Sequence, residues 1–151
     1  MKEIYLETSV LLTWLFGESK AQAVTRSIHK AKVVCTSRLT LLEAQRNLIR
    51  QECLGRITSA ECHRSFGLLE QISRSWLVME INSLVTRRAA EKFPIEPVRS
   101  LDAIHLASAL QFLEIYPKLE FSSLDGRIQA NLGPLGFAVA KSFSEFFTKL
   151  L

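Results

Sequence analysis

Ile4-Tyr5-Leu6-Glu7-Thr8-Ser9-Val10-Leu11 is the stretch that decides the fold of this chain of 151 residues. Its first three residues are typical of a short strand, and Thr8 and Ser9 suit the start of a helix that runs to Phe16. Glu7 therefore stands where a strand ends and a helix begins. The same change from strand to helix recurs further along the chain, which predicts an α/β protein.

Apolar runs of strand length alternate with runs of helical period across the rest of the sequence. The further predicted strands are Val33–Cys35, Leu77–Ile81, Leu119–Ser122 and Phe137–Ala140. The further predicted helices are 20–31, 39–49, 58–76, 84–93, 101–115 and 127–132, and a terminal amphipathic helix would carry Phe143, Phe146, Phe147 and Leu150. This alternation predicts a single domain over residues 1–151, with a three-layer α/β/α arrangement around a central parallel sheet of about five strands.

The composition is that of a soluble globular protein, with 48% hydrophobic and 23% charged residues. The 19 basic and 15 acidic residues give a net charge of +4, which is compatible with a polyanionic partner. The three cysteines have no paired spacing and fit a reducing compartment. No apolar run approaches the ~20 residues that span a bilayer. These features predict a cytoplasmic protein without a membrane partner.

Four acidic residues stand where apolar segments end or begin, namely Glu7, Glu43, Asp102 and Asp125. If strands and helices alternate, such positions gather at one edge of a parallel sheet, where open α/β folds bind their ligands. Several carboxylates close together repel one another unless a cation neutralises them. Oxygen donors of this kind suit hard divalent ions. The pattern therefore indicates a metal site at this edge.

Three of these carboxylates also have an ordinary explanation. Glu7 could complement the dipole of the helix that follows it. Glu43 could pair with Arg46 on an exposed helix face, since the two lie three residues apart. Asp125 could be a plain turn residue in Ser-Leu-Asp-Gly-Arg. The four positions are more informative together than singly.

The helix predicted at 101–115 is nearly apolar all round and should be buried. Asp102 lies in its first turn, where an unpaired carboxylate is costly. Either the helix dipole and local amides satisfy Asp102, or it binds a ligand. His105, one turn further on, is interpreted as a hydrogen-bonded core histidine rather than as a metal ligand.

The segments Ile4–Leu11, Glu43 within a helix, Leu101-Asp102-Ala103-Ile104-His105-Leu106-Ala107 and Ser123-Leu124-Asp125 resemble the ordered motifs of the PIN domain. Within that family, the chain is most similar to the VapC-type toxins of prokaryotic toxin–antitoxin pairs. The resemblance covers essentially the whole chain, and the segment from Leu101 to Ala107 is its most specific part.

The resemblance implies a metal-dependent endoribonuclease that hydrolyses RNA phosphodiester bonds. By this analogy, Glu7, Glu43, Asp102 and Asp125 would form the catalytic set and hold Mg²⁺ or Mn²⁺, with Glu7 and Asp102 as direct ligands. Ser9 and Ser123 would hydrogen-bond a carboxylate or the phosphate. The arginines near the motifs would contact the RNA backbone, and these are Arg38, Arg46, Arg99 and Arg127. A cognate antitoxin and a homodimer are also implied.

One departure from the family pattern concerns its first acidic position, which is normally aspartate and is Glu7 here. The longer side chain is expected to alter activity, since a misplacement of ~1 Å can cost about a hundredfold in rate. It keeps open the alternative of a catalytically impaired PIN-like module that binds RNA or protein. A phosphotransfer or receiver protein with an acidic sheet edge is a further alternative, although Glu7 is a poor phosphate acceptor.

Overall fold

The computed structural model describes residues 1–17 and 21–139. Its strands are β1 (Lys2–Leu6), β2 (Ala31–Ser37), β3 (Leu77–Met79), β4 (Glu120–Ser122) and β5 (Ala138–Val139). Its helices are α1 (Thr8–Leu15), α2 (Ala21–Lys30), α3 (Arg38–Cys53), α4 (Ser59–Ser73), α5 (Ser83–Ala89), α6 (Ser100–Ile115) and α7 (Gly126–Leu132). The helix predicted to carry Phe143 to Leu150, together with Lys20 and Ala140 at the ends of two other predicted elements, lies outside the described residues.

The five described strands form one sheet in the order β3-β2-β1-β4-β5, and each neighbouring pair is parallel. β1 is the central strand, and its Tyr5 is in register with Cys35 of β2 and Phe121 of β4. The prediction of an α/β/α fold with about five parallel strands is therefore confirmed. Because all strands point the same way, the residues that follow β1, β2 and β4 meet at one edge.

The sheet is covered on both faces, because successive side chains of a strand point to opposite sides. Ile4 and Leu6 of β1 belong to one hydrophobic core, whereas Tyr5 belongs to the other. The first core also contains Val10, Leu11, Val24, Leu41, Ala44 and Leu69 from α1 to α4. The second contains Ala103, Leu106, Ala109, Phe112, Ile128 and Leu132 from α6 and α7. Two helical layers therefore enclose the sheet.

Several predicted elements are longer in the sequence pattern than in the structure, and α4 is one of them, since it ends at Ser73 rather than Trp76. β3 ends at Met79 rather than Ile81, and α5 ends at Ala89 rather than Phe93. Phe93 is still buried in the second core. Its amide donates to the carboxylate of Glu96 at 2.9 Å, so this bond to the loop, not a helical bond, satisfies the amide. None of the helices in residues 1–17 and 21–139 is long and apolar enough to cross a membrane.

The helix starts agree with the sequence pattern, but the cap of α1 differs from it. A capping box begins α4, with Thr58 and Glu61 each bonding the other's backbone amide. Glu7 rather than a hydroxyl caps α1, and its carboxylate accepts from the Ser9 amide at 3.2 Å. The N-cap of α6 is Arg99, and its side chain makes no capping bond.

Candidate active site

Glu7 is held rigidly where β1 meets β4. Its amide donates to the carbonyl of Ser122 at 3.1 Å, which extends the pairing of the two strands by one residue. The residue is only 6% exposed. The Oε2 atom accepts from the hydroxyls of Ser9 at 2.5 Å and Ser123 at 2.8 Å. Burying an ionised carboxylate requires such donors, and two hydroxyls and an amide supply them.

The same two serines fix the loop between β4 and α7. The Ser9 hydroxyl accepts from the amide of Leu124 at 2.8 Å, and the Ser123 hydroxyl accepts from the amide of Asp125 at 3.0 Å. Asp125 then caps α7, because its Oδ1 atom accepts from two amides of the first turn at 2.9 and 3.2 Å. Ser9 and Ser123 therefore both contact Glu7, and they connect it to the segment that carries Asp125.

Asp102 lies in the first turn of α6 and is 8% exposed. Its Oδ2 atom accepts from Nε of Arg99 at 3.0 Å, while Nη2 of the same guanidinium lies 3.7 Å from Oδ2 of Asp125. The hydrogen bond to Asp102 raises the pKa of Arg99 above its usual value. The guanidinium of Arg99 therefore contacts both aspartates. It is also the positively charged partner that the buried carboxylate of Asp102 needs.

Glu43 of α3 faces His105 and Thr8 rather than Arg46. Its Oε1 atom accepts from the Thr8 hydroxyl at 2.7 Å and lies 2.6 Å from Nε2 of His105. Burial raises the pKa of the Glu43 carboxyl, but the hydrogen bonds from His105 and Thr8 outweigh it and lower the pKa below 4.5. His105 is 2% exposed, and its Nδ1 atom lies 3.5 Å from the Thr40 hydroxyl. This placement agrees with its interpretation as a hydrogen-bonded core histidine.

The four carboxylates occupy one region at the carboxyl ends of β1, β2 and β4. Ser123 connects Glu7 to Asp125, and Arg99 connects Asp125 to Asp102. Thr8 is the neighbour of Glu7 in the chain and donates to Glu43. Polar contacts therefore connect Glu7, Asp125 and Asp102, and Glu43 is placed near them by Thr8, the chain neighbour of Glu7.

This set suits a hard divalent ion by its chemistry, since its acidic members offer only oxygen donors. The buried carboxylates of Glu7 and Asp102 are the strongest candidates, because a cation would relieve the cost of burying them. In the described part of the chain, however, no three His, Cys, Asp or Glu side chains gather in a group that could hold a metal ion. Each acidic side chain instead has a protein partner.

The predicted RNA-contacting arginines have different surroundings. Arg38 makes a bidentate pair with Glu80 at the exposed surface, with a shortest distance of 2.6 Å. Arg46 and Arg127 are exposed, and Arg99 contacts the two aspartates. The sequence interpretation missed the double pairing of Arg99, although its spacing of three residues from Asp102 on a helix was a signal for the first contact. It also missed the contacts of Thr8 and Thr40 with Glu43 and His105, for which no local pattern exists.

The chain has a three-layer α/β/α fold, and its acidic residues lie at the carboxyl ends of parallel strands. It therefore has the architecture of α/β proteins that bind their ligands at that edge of the sheet. The chain belongs to the PIN domain family, whose sequence model matches residues 4–113. The matched range includes Glu7, Glu43 and Asp102 and ends before Asp125.

Two crystal structures have similar folds. One is VapC20 of Mycobacterium tuberculosis, described as a toxin that cleaves the sarcin-ricin loop, with a TM-score of 0.61 and 18% identity over 84% of this chain and 93% of that one. The other is PAE2754 of Pyrobaculum aerophilum, with a TM-score of 0.59 and 22% identity over 98% of this chain and 96% of that one. At these identities, the likeness establishes the fold alone. No curated protein sequence matches the chain.

Proposed function

We propose that this protein is a metal-dependent endoribonuclease that hydrolyses RNA phosphodiester bonds, and that it is the toxin of a toxin–antitoxin pair. The observation that supports the proposal is that Glu7, Glu43, Asp102 and Asp125 lie towards one edge of the sheet in a chain of the PIN domain family. The similarity to a structure described as a cleaving toxin supports RNA as the substrate class.

Glu7 and Asp102 would hold Mg²⁺ or Mn²⁺ directly, with Glu43 and Asp125 beside them. The chemistry that such an ion supplies is Lewis acidity, which offsets charge on the phosphodiester and makes water a better nucleophile. Ser9 and Ser123 act on Glu7, because their hydroxyls fix the direction of its carboxylate. Such positioning matters, since small displacements of a reactive group can change a rate strongly.

RNA would approach this edge across a surface that carries several arginines. Arg46 and Arg127 are exposed, and the pair between Arg38 and Glu80 is exposed as well, so exchanging Glu80 for a phosphate costs little. The net charge of +4 has the sign that an RNA partner requires. A cognate antitoxin that covers the site and a homodimer are further parts of this proposal.

The direct test is cleavage of a labelled RNA by the purified protein with Mg²⁺ or Mn²⁺, compared with the same reaction in EDTA. We expect cleavage that requires the ion and that falls by at least about a hundredfold in Asp102→Asn. Glu114→Gln is the matched control, because Glu114 is an exposed acid on the same helix. Cleavage that persists in EDTA, or an Asp102→Asn variant as fast as the unmodified protein, would contradict the proposal.

The second candidate function is a module that binds RNA or protein without cleaving it. Two observations favour it: Glu7 replaces the usual aspartate, and each acidic side chain of the set already has a protein partner. Binding of RNA without cleavage, in both the unmodified protein and Glu7→Asp, would select this module. Cleavage by either protein would select the nuclease.

A further inference from the structure

Arg99 contacts two of the four carboxylates to which the proposed function assigns a metal ion. Its guanidinium lies 3.0 Å from Oδ2 of Asp102 and 3.7 Å from Oδ2 of Asp125. These atoms belong to two of the four carboxylates assigned to the ion above. A guanidinium and a divalent ion both satisfy paired carboxylates by positive charge, so they compete for the same oxygens.

We infer that Arg99 is an internal counterion of the acidic edge, and that binding of a divalent ion to Asp102, with Asp125 beside it, requires the guanidinium of Arg99 to move away. The inference rests on the proposed function, because it concerns the same metal site. It makes Arg99 a regulator of metal affinity, beyond the contact with the RNA backbone expected from the sequence.

The need for a counterion differs among the four acidic residues. Hydroxyls and an amide satisfy the buried carboxylate of Glu7, and a hydroxyl and an imidazole satisfy that of Glu43. The side chain of Asp102 is also nearly buried, at 11% exposure, and Arg99 is the partner that balances its charge. Without that partner, Asp102 and Asp125 would repel each other and attract a cation from solution.

Arg99 is placed so that it can leave without disturbing the fold. Its side chain is 63% exposed, and its role as N-cap of α6 involves no hydrogen bond from the side chain. An exposed arginine loses little when a pair with a carboxylate breaks, because water takes over its hydrogen bonds. The released guanidinium remains beside the site, and a planar guanidinium is well suited to bind a phosphate group of RNA.

The test is a calorimetric titration of MnCl₂ into the purified protein, in the absence of RNA and at low salt. In Arg99→Met, which keeps the aliphatic part of the side chain and removes the charge, we expect Mn²⁺ to bind about tenfold more tightly. Arg74→Met is the matched control, since Arg74 is an exposed arginine paired with Glu70 on α4, and its variant should bind Mn²⁺ as the unmodified protein does.

Thermal unfolding gives a second measurement. Without metal, Arg99→Met should have a lower midpoint of thermal unfolding than the unmodified protein. Excess Mn²⁺ should raise the midpoint of Arg99→Met by more than it raises that of the unmodified protein. Equal or weaker Mn²⁺ affinity in Arg99→Met, or no Mn²⁺ binding by any of the proteins, overturns the inference. If Arg99→Met binds Mn²⁺ more tightly and the unmodified protein does not cleave RNA, the inference is supported and the nuclease function is contradicted. If the unmodified protein cleaves RNA and Arg99→Met has unchanged Mn²⁺ affinity, the nuclease function is supported and the inference is contradicted.

Discussion

The imidazole of His105 lies 2.6 Å from the carboxylate of Glu43, and both groups contact the hydroxyl of Thr8. This contact joins α6, which packs on one face of the sheet, to α1 and α3, which pack on the other. The polar cluster therefore links the two helical layers just beyond the ends of the strands. It stabilises the fold at the same place where the candidate active site lies.

The first prediction concerns the contribution of His105 to stability. His105→Ala should lower the free energy of unfolding by about 2–4 kcal/mol, because it opens a cavity in the core and leaves Glu43 without its imidazole partner. Urea denaturation measures the change. His63→Ala, at an exposed position of α4, is the control and should shift stability by less than about 0.5 kcal/mol. Equal effects of the two substitutions would show that the contact contributes nothing.

The second prediction concerns acid unfolding and the Glu43 carboxyl. Because its pKa is lower in the folded protein than the usual 4.5, its contribution to stability is present above pH 4.5 and is lost as the pH falls through the folded value. We expect Glu43→Gln to be less stable than the unmodified protein at about pH 6 and to lose less stability between that pH and about pH 3.5.

Thermal unfolding across this pH range measures the difference between the two proteins. Glu114→Gln on the exposed face of α6 serves as the control for the loss of one negative charge. A difference in stability between the unmodified protein and Glu43→Gln that stays constant with pH would contradict the prediction.

The third prediction concerns the length of the side chain at position 7. Glu7→Asp should weaken the contacts with Ser9 and Ser123 and lower the free energy of unfolding by about 1 kcal/mol. If the proposed function holds, it should also raise the rate of RNA cleavage by about tenfold or more, because the resemblance to the PIN domain implies an aspartate here and the shorter side chain would restore the position of the carboxylate. Glu7→Gln keeps the length and removes the charge, so it should abolish cleavage. A slower Glu7→Asp enzyme would indicate that the site has adapted to glutamate.

The fourth prediction concerns Asn131, which is fully buried in α7 and holds the loop that precedes Arg99. Its amide group accepts from the amide of Ile95 at 2.9 Å and donates to the carbonyl of Ile95 at 3.0 Å. Asn131→Ala should destabilise the protein by about 2–3 kcal/mol, because both groups of Ile95 lose their partner. Hydrogen exchange should show faster exchange of the Ile95 amide, whereas Asn47→Ala on α3 should leave it unchanged.

Much of the fold could be predicted from the sequence because local patterns determine it. The alternation of short apolar runs with helical periods requires a covered parallel sheet, and the nearly apolar stretch from Leu101 to Ile115 is indeed largely buried in the structure. The position of Glu7 and Asp125 at the same edge follows from that topology. Residues that follow neighbouring parallel strands lie at the same edge of the sheet, because those strands end there.

The partner of each carboxylate could not be predicted, because the contacts are distant in the sequence. Glu43 and Thr8 are 35 residues apart, and Glu43 and His105 are 62 apart. Which of several polar groups meet is determined by how the helices pack on the sheet, and no periodicity records that. Arg99 illustrates both cases, since its pair with Asp102 follows helical spacing while its approach to Asp125 depends on the fold.

The shortness of β3 limits the addition of further strands to the sheet. β3 lies at an edge of the sheet and contains three residues, Leu77–Met79. An edge strand of three residues offers few backbone groups for hydrogen bonds, so the addition of a strand from another polypeptide gains little free energy. The short β3 thereby disfavours edge-to-edge aggregation of the sheet on this side. Contacts with another copy of the chain would then involve the outer helices.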